Sequence, residues 1–256
     1  MKSTLRAAKK LPPLLAHVAY GVALSALVAV DRDRRWKREQ LAVRWHKRLL
    51  RILHIDVEIN GKPAAGARIL VSNHVSWMDI PVLAATEPTR FVSKAEVHGW
   101  PIAGWLADAS GTFYLKRGAG GTKRLIEDLR EFVLGGGLFV FFPEGTTTDG
   151  RSLLRFQPRL FAVALESGCP VQPIALRYQP TVDGRDIAPF IGDDDLLSHL
   201  FRVLREPGLK VELCYSEAID PVGRNRGQLA EATQAAIQAL IAPASRGADR
   251  DRALAA

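Results

Sequence analysis

The sequence predicts an α/β domain with a mixed, largely parallel sheet flanked by helices, preceded by an apolar anchor helix and a basic amphipathic helix. Three observations lead there. From residue 56 onward, short β-branched runs alternate with helical stretches, the pattern of an α/β unit. Residues 11–30 contain no Asp, Glu, Lys or Arg. Residues 32–51 interleave Arg32, Arg34, Arg35, Lys37, Arg38, Arg44, Lys47, Arg48 and Arg51 with Trp36, Leu41, Trp45, Leu49 and Leu50.

Taken in order, Lys2, Arg6, Lys9 and Lys10 precede the uncharged run. At about 1.5 Å per residue, a run of that length reaches across a hydrocarbon core of roughly 30 Å. Pro12, Pro13, His17 and Gly21 also fit an embedded or hairpin-like anchor, and the basic-then-apolar order fits a cleaved leader, although no small-x-small site closes the run. The basic stretch that follows reads as a helix lying in the headgroup layer, or as a solvated helix face. Cations stand on both sides of the apolar run, so their balance does not fix its orientation.

Strands are predicted at residues 56–60, 68–72, 89–93, 112–116, 138–142, 171–176 and 210–215. Helices are predicted at 80–85, 101–109, 122–134, 157–167 and 228–241, with Gly135-Gly136-Gly137 and Pro207-Gly208 as stops. Residues 244–256 are poor in apolar side chains and read as a disordered tail. Cys169 and Cys214 have no metal-type or redox-type spacing and read as core residues, and no metal site is visible.

The net charge of +8 and isoelectric point near 9.8 point to a polyanionic partner: nucleic acid, an anionic membrane or a phosphorylated small molecule. Nucleic acid fits poorly, because there is no aromatic and basic platform and the cations gather beside the apolar run.

Three predicted strand ends carry polar groups, the usual place for a site in such sheets. The first is Asn73-His74-Val75-Ser76-Trp77-Met78-Asp79. A first-turn Asp79 can fold back to hold one imidazole nitrogen of His74 while the other takes a proton. Ser76 and Asp79 also match a capping box, which requires no chemistry of either. The second is Phe142-Pro143-Glu144-Gly145-Thr146-Thr147-Thr148-Asp149-Gly150, a turn whose N–H and hydroxyl groups suit a carbonyl oxygen or a polar headgroup. The third is Gly111-Thr112-Phe113-Tyr114-Leu115-Lys116-Arg117, where a guanidinium at a strand end suits phosphate or carboxylate. His54, His98 and His199 have no partner at useful spacing and read as ordinary residues.

In this order, behind an apolar and basic N-terminus, these blocks resemble the glycerolipid acyltransferase family, typified by 1-acylglycerol-3-phosphate acyltransferases. The resemblance rests on NHVSWMD, GTFYLKR, FPEGT and Val171-Gln172-Pro173-Ile174, with Lys94-Ala95-Glu96, Pro101 and Gly104 between them. It implies direct acyl transfer without a covalent acyl-enzyme. His74 serves as base and Asp79 steadies it, and Arg117, Glu144, Gly145, Thr146 and Lys94 bind the acceptor. The substrates are a lysolipid and either acyl-CoA or acyl carrier protein, with no further cofactor. The expected place is the inner membrane, with the catalytic domain on the cytoplasmic side and an anionic membrane surface as partner.

On this reading, residues 1–55 form the anchor and interfacial helix, 56–243 the catalytic domain and 244–256 the tail. The expected acceptor is 1-acyl-sn-glycerol-3-phosphate, giving phosphatidic acid. Two departures favour an alternative. Thr147 stands where the family usually has Arg after Glu-Gly-Thr, and Arg117 follows Phe113 by four residues where three is commoner. A TTTDG continuation resembles the branch acting on lyso-ornithine lipids. A lipid hydrolase and a non-enzymatic membrane-surface module are the further rivals.

Overall fold

A computed structural model of the chain describes residues 2–31, 37–115 and 119–242. Among the described residues seven strands form one sheet: β1 (Ile55–Asn60), β2 (Ile69–Ser72), β3 (Arg90–Lys94), β4 (Phe113–Leu115), β5 (Phe139–Phe141), β6 (Val171–Tyr178) and β7 (Leu209–Tyr215). Their order across the sheet is β1-β7-β6-β2-β5-β3-β4. Every neighbouring pair is parallel except β6 with β7, so the mixed, largely parallel sheet is as the sequence predicts.

Helices α1 (Lys2–Val30), α2 (Arg38–Leu53), α3 (Asp79–Ala84), α4 (Ala103–Ala109), α5 (Ala119–Leu134), α6 (Ala162–Ser167), α7 (Leu196–Arg205) and α8 (Arg226–Ile241) cover the sheet. Because both faces are covered, β2, β5 and the first six residues of β6 are buried at every position rather than alternately. Leu70, Val140, Ile174 and Leu176 point into one core with residues of α1, α2, α3 and α7. Ile69, Val71, Phe139 and Phe141 point into the other with α5, α6 and α8. Burying each such side chain contributes roughly 1.5–3 kcal/mol.

The glycine stop after α5 has a packing reason as well as a conformational one. Gly136 has φ 82°, and a Cβ on Gly137 would sit 2.5 Å from the Phe132 ring. The sequence reading missed α7, whose N-cap Asp195 accepts the Ser198 amide. It also took residues 157–167 as one helix, where a 3-10 turn at Pro158–Phe161 precedes α6.

Helix α1 is apolar on the outside and partly polar inside. Ala7, Lys10, Leu14, His17, Gly21, Ser25 and Val28 form its buried stripe, while Leu5, Leu15, Tyr20, Leu27 and Val30 are exposed. Lys10 Nζ donates to the carbonyls of Leu53 and Glu206, at the ends of α2 and α7, where helix dipoles favour a cation. His17 and Trp45 exchange two hydrogen bonds, from imidazole Nε2 to the Trp45 carbonyl and from indole Nε1 to the His17 carbonyl. By length and composition α1 is apolar enough to cross a membrane, and less than a third of its most apolar stretch is buried. Residues 32–36 of the basic stretch and 243–256 at the end lie outside the described residues.

Candidate active site

The parallel strands β2 and β5 end side by side, and the two polar blocks that follow them meet there. Asn73, fully buried, closes β2 by pairing its side-chain amide with both backbone groups of Leu176 on β6, at 3.0 and 2.8 Å. The chain then turns outward at His74, whose ring is about one-fifth exposed and stacks on Phe142 at 4.1 Å between centroids.

Asp79 is fully buried, at the start of α3. Its Oδ2 accepts from His74 Nδ1 at 2.7 Å, from the Val75 amide at 2.7 Å and from the Ser76 amide at 3.0 Å. Asp79 thus binds the imidazole and the turn before its own helix at once, whereas Ser76 Oγ has no hydrogen-bond partner among the described residues. With Nδ1 donating to a carboxylate, Nε2 is the free basic nitrogen. The other carboxylate oxygen, Oδ1, accepts from Tyr178 Oη at 2.8 Å.

Glu144 is buried and braces the same loop from below. Its Oε1 accepts the His74 amide and its Oε2 the Leu154 amide, both at 2.9 Å. Burial raises the Glu144 pKa, and the two backbone bonds and His74 oppose that rise. Pro143 and Glu144 form the tip of a turn in which the Gly145 amide bonds the Phe142 carbonyl, and Gly145 has φ 71°. The Thr148 amide donates to the His74 carbonyl at 2.8 Å, and the Thr147 hydroxyl donates to the Phe190 carbonyl.

His74, Lys94, Gly145, Thr146 and Thr147 line one cavity of about 620 Å³. Its remaining wall is largely apolar and includes residues of α1, α2, α4, of α3 with Trp77 before it, and of the ends of β3 and β5, with Leu24, Trp45, Phe91 and Leu106 among them. The structure therefore brings together His74, Asp79, Glu144, Gly145, Thr146 and Lys94. Glu144 is positioned differently from a headgroup ligand, since both its oxygens are held by backbone amides. Arg117 lies outside the described residues.

Sequence reading missed two partners. Tyr178 stands 99 positions from Asp79, and only the β2–β6 pairing brings it near. Trp77 Nε1 donates to His199 Nδ1 at 2.9 Å, and His199 Nε2 reaches the Pro189 carbonyl at 3.2 Å. His199 is fully buried, and burial lowers its pKa. It is a core residue with a defined tautomer, and it holds a Trp of the cavity wall.

A model of the acyltransferase family matches residues 54–177. Over 233 residues the chain is 42% identical to the lyso-ornithine lipid O-acyltransferase of Pseudomonas aeruginosa, covering 89% of this chain and 90% of that protein. The chain belongs to the acyltransferase family. It is also 33% identical to the lyso-ornithine lipid O-acyltransferase of Rhizobium meliloti, over 87% of this chain and 80% of that one. To the 1-acyl-sn-glycerol-3-phosphate acyltransferase of Neisseria gonorrhoeae it is 30% identical, over 80% of this chain and 82% of that protein. The crystal structure of the 1-acyl-sn-glycerophosphate acyltransferase PlsC from Thermotoga maritima has the same fold. Its TM-score is 0.67 at 24% identity, over 94% of this chain and 98% of that one. As an acyltransferase, the protein is an enzyme that acylates lysolipids. Its most polar strand ends lie within the matched segment, and Tyr178 is the residue immediately after it.

Proposed function

We propose that this acyltransferase is a lyso-ornithine lipid O-acyltransferase of the inner membrane, its catalytic domain on the cytoplasmic side, with His74 as general base. The observation that carries the acceptor is the 42% identity to a lyso-ornithine lipid O-acyltransferase across 89% of the chain. The site supports it. Where the resemblance leads one to expect an Arg that helps hold a phosphate, Thr147 spends its hydroxyl on the Phe190 carbonyl, so that position offers a phosphate no cation. Acylation of 1-acyl-sn-glycerol-3-phosphate to phosphatidic acid, first expected from the resemblance, is the second reading, supported by the similarity to a 1-acyl-sn-glycerol-3-phosphate acyltransferase.

In the reaction, His74 Nε2 takes the proton of the lysolipid hydroxyl as its oxygen attacks the thioester carbonyl of acyl-CoA or acyl carrier protein. The tetrahedral adduct collapses, the C–S bond breaks, and the thiolate recovers the proton from His74. An ester and a thiol leave, and no atom of the enzyme is acylated. Asp79 holds His74 Nδ1–H at 2.7 Å and stabilises the imidazolium that forms between the two proton transfers. Glu144 fixes the His74 backbone, and the Gly145-Thr146 turn and Lys94 face the acceptor. The acyl chain occupies the apolar part of the cavity.

The test supplies radiolabelled acyl carrier protein or acyl-CoA with lyso-ornithine lipid, with lysophosphatidic acid, or with no acceptor. Turnover with lyso-ornithine lipid at least about tenfold above lysophosphatidic acid is expected. A preference for lysophosphatidic acid overturns the acceptor assignment, and release of free fatty acid without acceptor overturns transfer in favour of hydrolysis.

A further inference from the structure

We propose that the segment from Trp100 to Trp105 is a membrane wedge, separate from α1, that inserts into the lipid bilayer beside the cavity. From Val97 to Ala107 the chain has no Asp, Glu, Lys or Arg. Trp100, Ile102 and Trp105 are 42%, 53% and 46% exposed. Ile102 sits at φ 63°, ψ −56°, and the Ala103 amide bonds the Pro101 carbonyl at 2.6 Å across it. That is a three-residue γ-turn of the rare, strained hand, and a β-branched residue there is an outlier. The strain presents Ile102 outward.

The base of the wedge is closely packed and hydrogen-bonded. A Cβ on Gly104 would lie 2.3 Å from the His98 carbonyl oxygen, so only glycine lets the two backbones approach. His98 Nδ1 and Tyr114 Oη both bond Asp108 Oδ1, at 3.0 and 2.6 Å. The bilayer is the occupant because the patch continues the outward apolar face of α1. Helix α4 packs on α1, Leu106 closes over Gly21, and Tyr20, Leu27 and Val30 are exposed on α1. Paired Trp side chains suit the bilayer interface. The wedge rests on the reading that the acceptor is a lipid, but not on which lipid.

The full chain carrying Ile102→Cys, or Val182→Cys as a control on the far more exposed Val182, is labelled with an environment-sensitive thiol fluorophore; Cys169 and Cys214 are buried. On phosphatidylcholine–phosphatidylglycerol vesicles, dibrominated acyl chains should quench the label at 102 at least threefold more than that at 182. Iodide should quench it less, and only once vesicles are present. Equal quenching at both positions overturns the wedge, as does protection of position 102 without lipid, which means a second copy or another protein covers it. Acceptor choice does not enter this readout, so a failed acceptor assignment leaves it intact.

A different observation carries a second inference: we infer that Tyr178 is a positioning residue for the Asp79 carboxylate. Three donors crowd Oδ2 while Oδ1 has the Tyr178 hydroxyl. That hydroxyl fixes rotation of the carboxylate about its last bond, keeping Oδ2 toward His74. Burial and the neighbouring Asp79 charge raise the Tyr178 pKa well above that of an ordinary phenol, so the hydroxyl stays a donor throughout the working pH range. Tyr178 is not among the residues that line the cavity, and its hydroxyl acts through Asp79.

The test is a double-mutant cycle of Tyr178→Phe and Asp79→Asn. Tyr178→Phe should lower kcat about tenfold with KM for both substrates within twofold, and should lower it less than twofold further in the Asp79→Asn protein. An equal loss in both backgrounds means a general structural role and overturns the inference, as does an unchanged kcat.

Discussion

Replacing Asp79 by Asn removes one negative charge from a fully buried position without removing an acceptor. The Asn carbonyl can take the place of Oδ2 toward His74 Nδ1, Val75 and Ser76, and the Asn amino group then faces the Tyr178 oxygen. Fold and imidazole tautomer survive this exchange, and what disappears is the charge that stabilises the imidazolium. Two unit charges about 4 Å apart at an effective dielectric constant near 20 interact by about 4 kcal/mol. Since about 1.4 kcal/mol is tenfold in rate, kcat should fall about 10³-fold. Lysolipid and thioester contacts remain, so both KM values should stay within about threefold. The assay is continuous detection of the released thiol, alongside thermal melting to confirm the fold. A loss below about tenfold in a folded protein refutes the reasoning, because the charge then contributes nothing to proton transfer.

Glu144→Gln presents an amino group to one of the two amides that both carboxylate oxygens accept; unfolding should show about 1–3 kcal/mol of lost stability, and an unchanged denaturation midpoint contradicts the brace. His46 on α2 has its pKa lowered to about 3 by burial, with nearby His17 adding to the effect. Below the ordinary value of 6.5 the unfolded chain binds a proton that the folded chain refuses, so stability should fall as pH drops from about 6.5 to about 3. His46→Phe should flatten that slope, and an identical slope contradicts the assignment. His199→Phe leaves the Trp77 indole N–H without its acceptor; the cavity wall should loosen and selectivity between long and medium acyl donors should fall by about threefold or more, and unchanged selectivity contradicts the role.

Much of this was readable in the residues, and the part that was not has a physical cause. The strands were legible because a sheet covered on both faces makes short runs such as Phe139–Phe141 wholly apolar, and glycines punctuated the helices. His74 and Asp79 were legible because their contact is local, five residues apart. Tyr178 was not, because nothing near it in sequence signals a partner; the β2–β6 register alone brings it to Asp79. The bracing contacts of Glu144 were not legible for a related reason. The amides of His74 and Leu154 that its two oxygens accept lie 70 and 10 positions away. Helix α7 escaped notice because Leu196–Arg205 follows the acidic, turn-like run Asp193-Asp194-Asp195, although Leu196, Leu200 and Leu204 recur at helical spacing within it.

His74→Ala tests the central claim most directly. Turnover of acyl carrier protein or acyl-CoA with lyso-ornithine lipid should fall at least about 100-fold, the scale of general base catalysis, while sedimentation with anionic vesicles stays at the wild-type level. Turnover within tenfold of wild type in protein that still binds vesicles would contradict it, and the base would have to be sought elsewhere along the cavity.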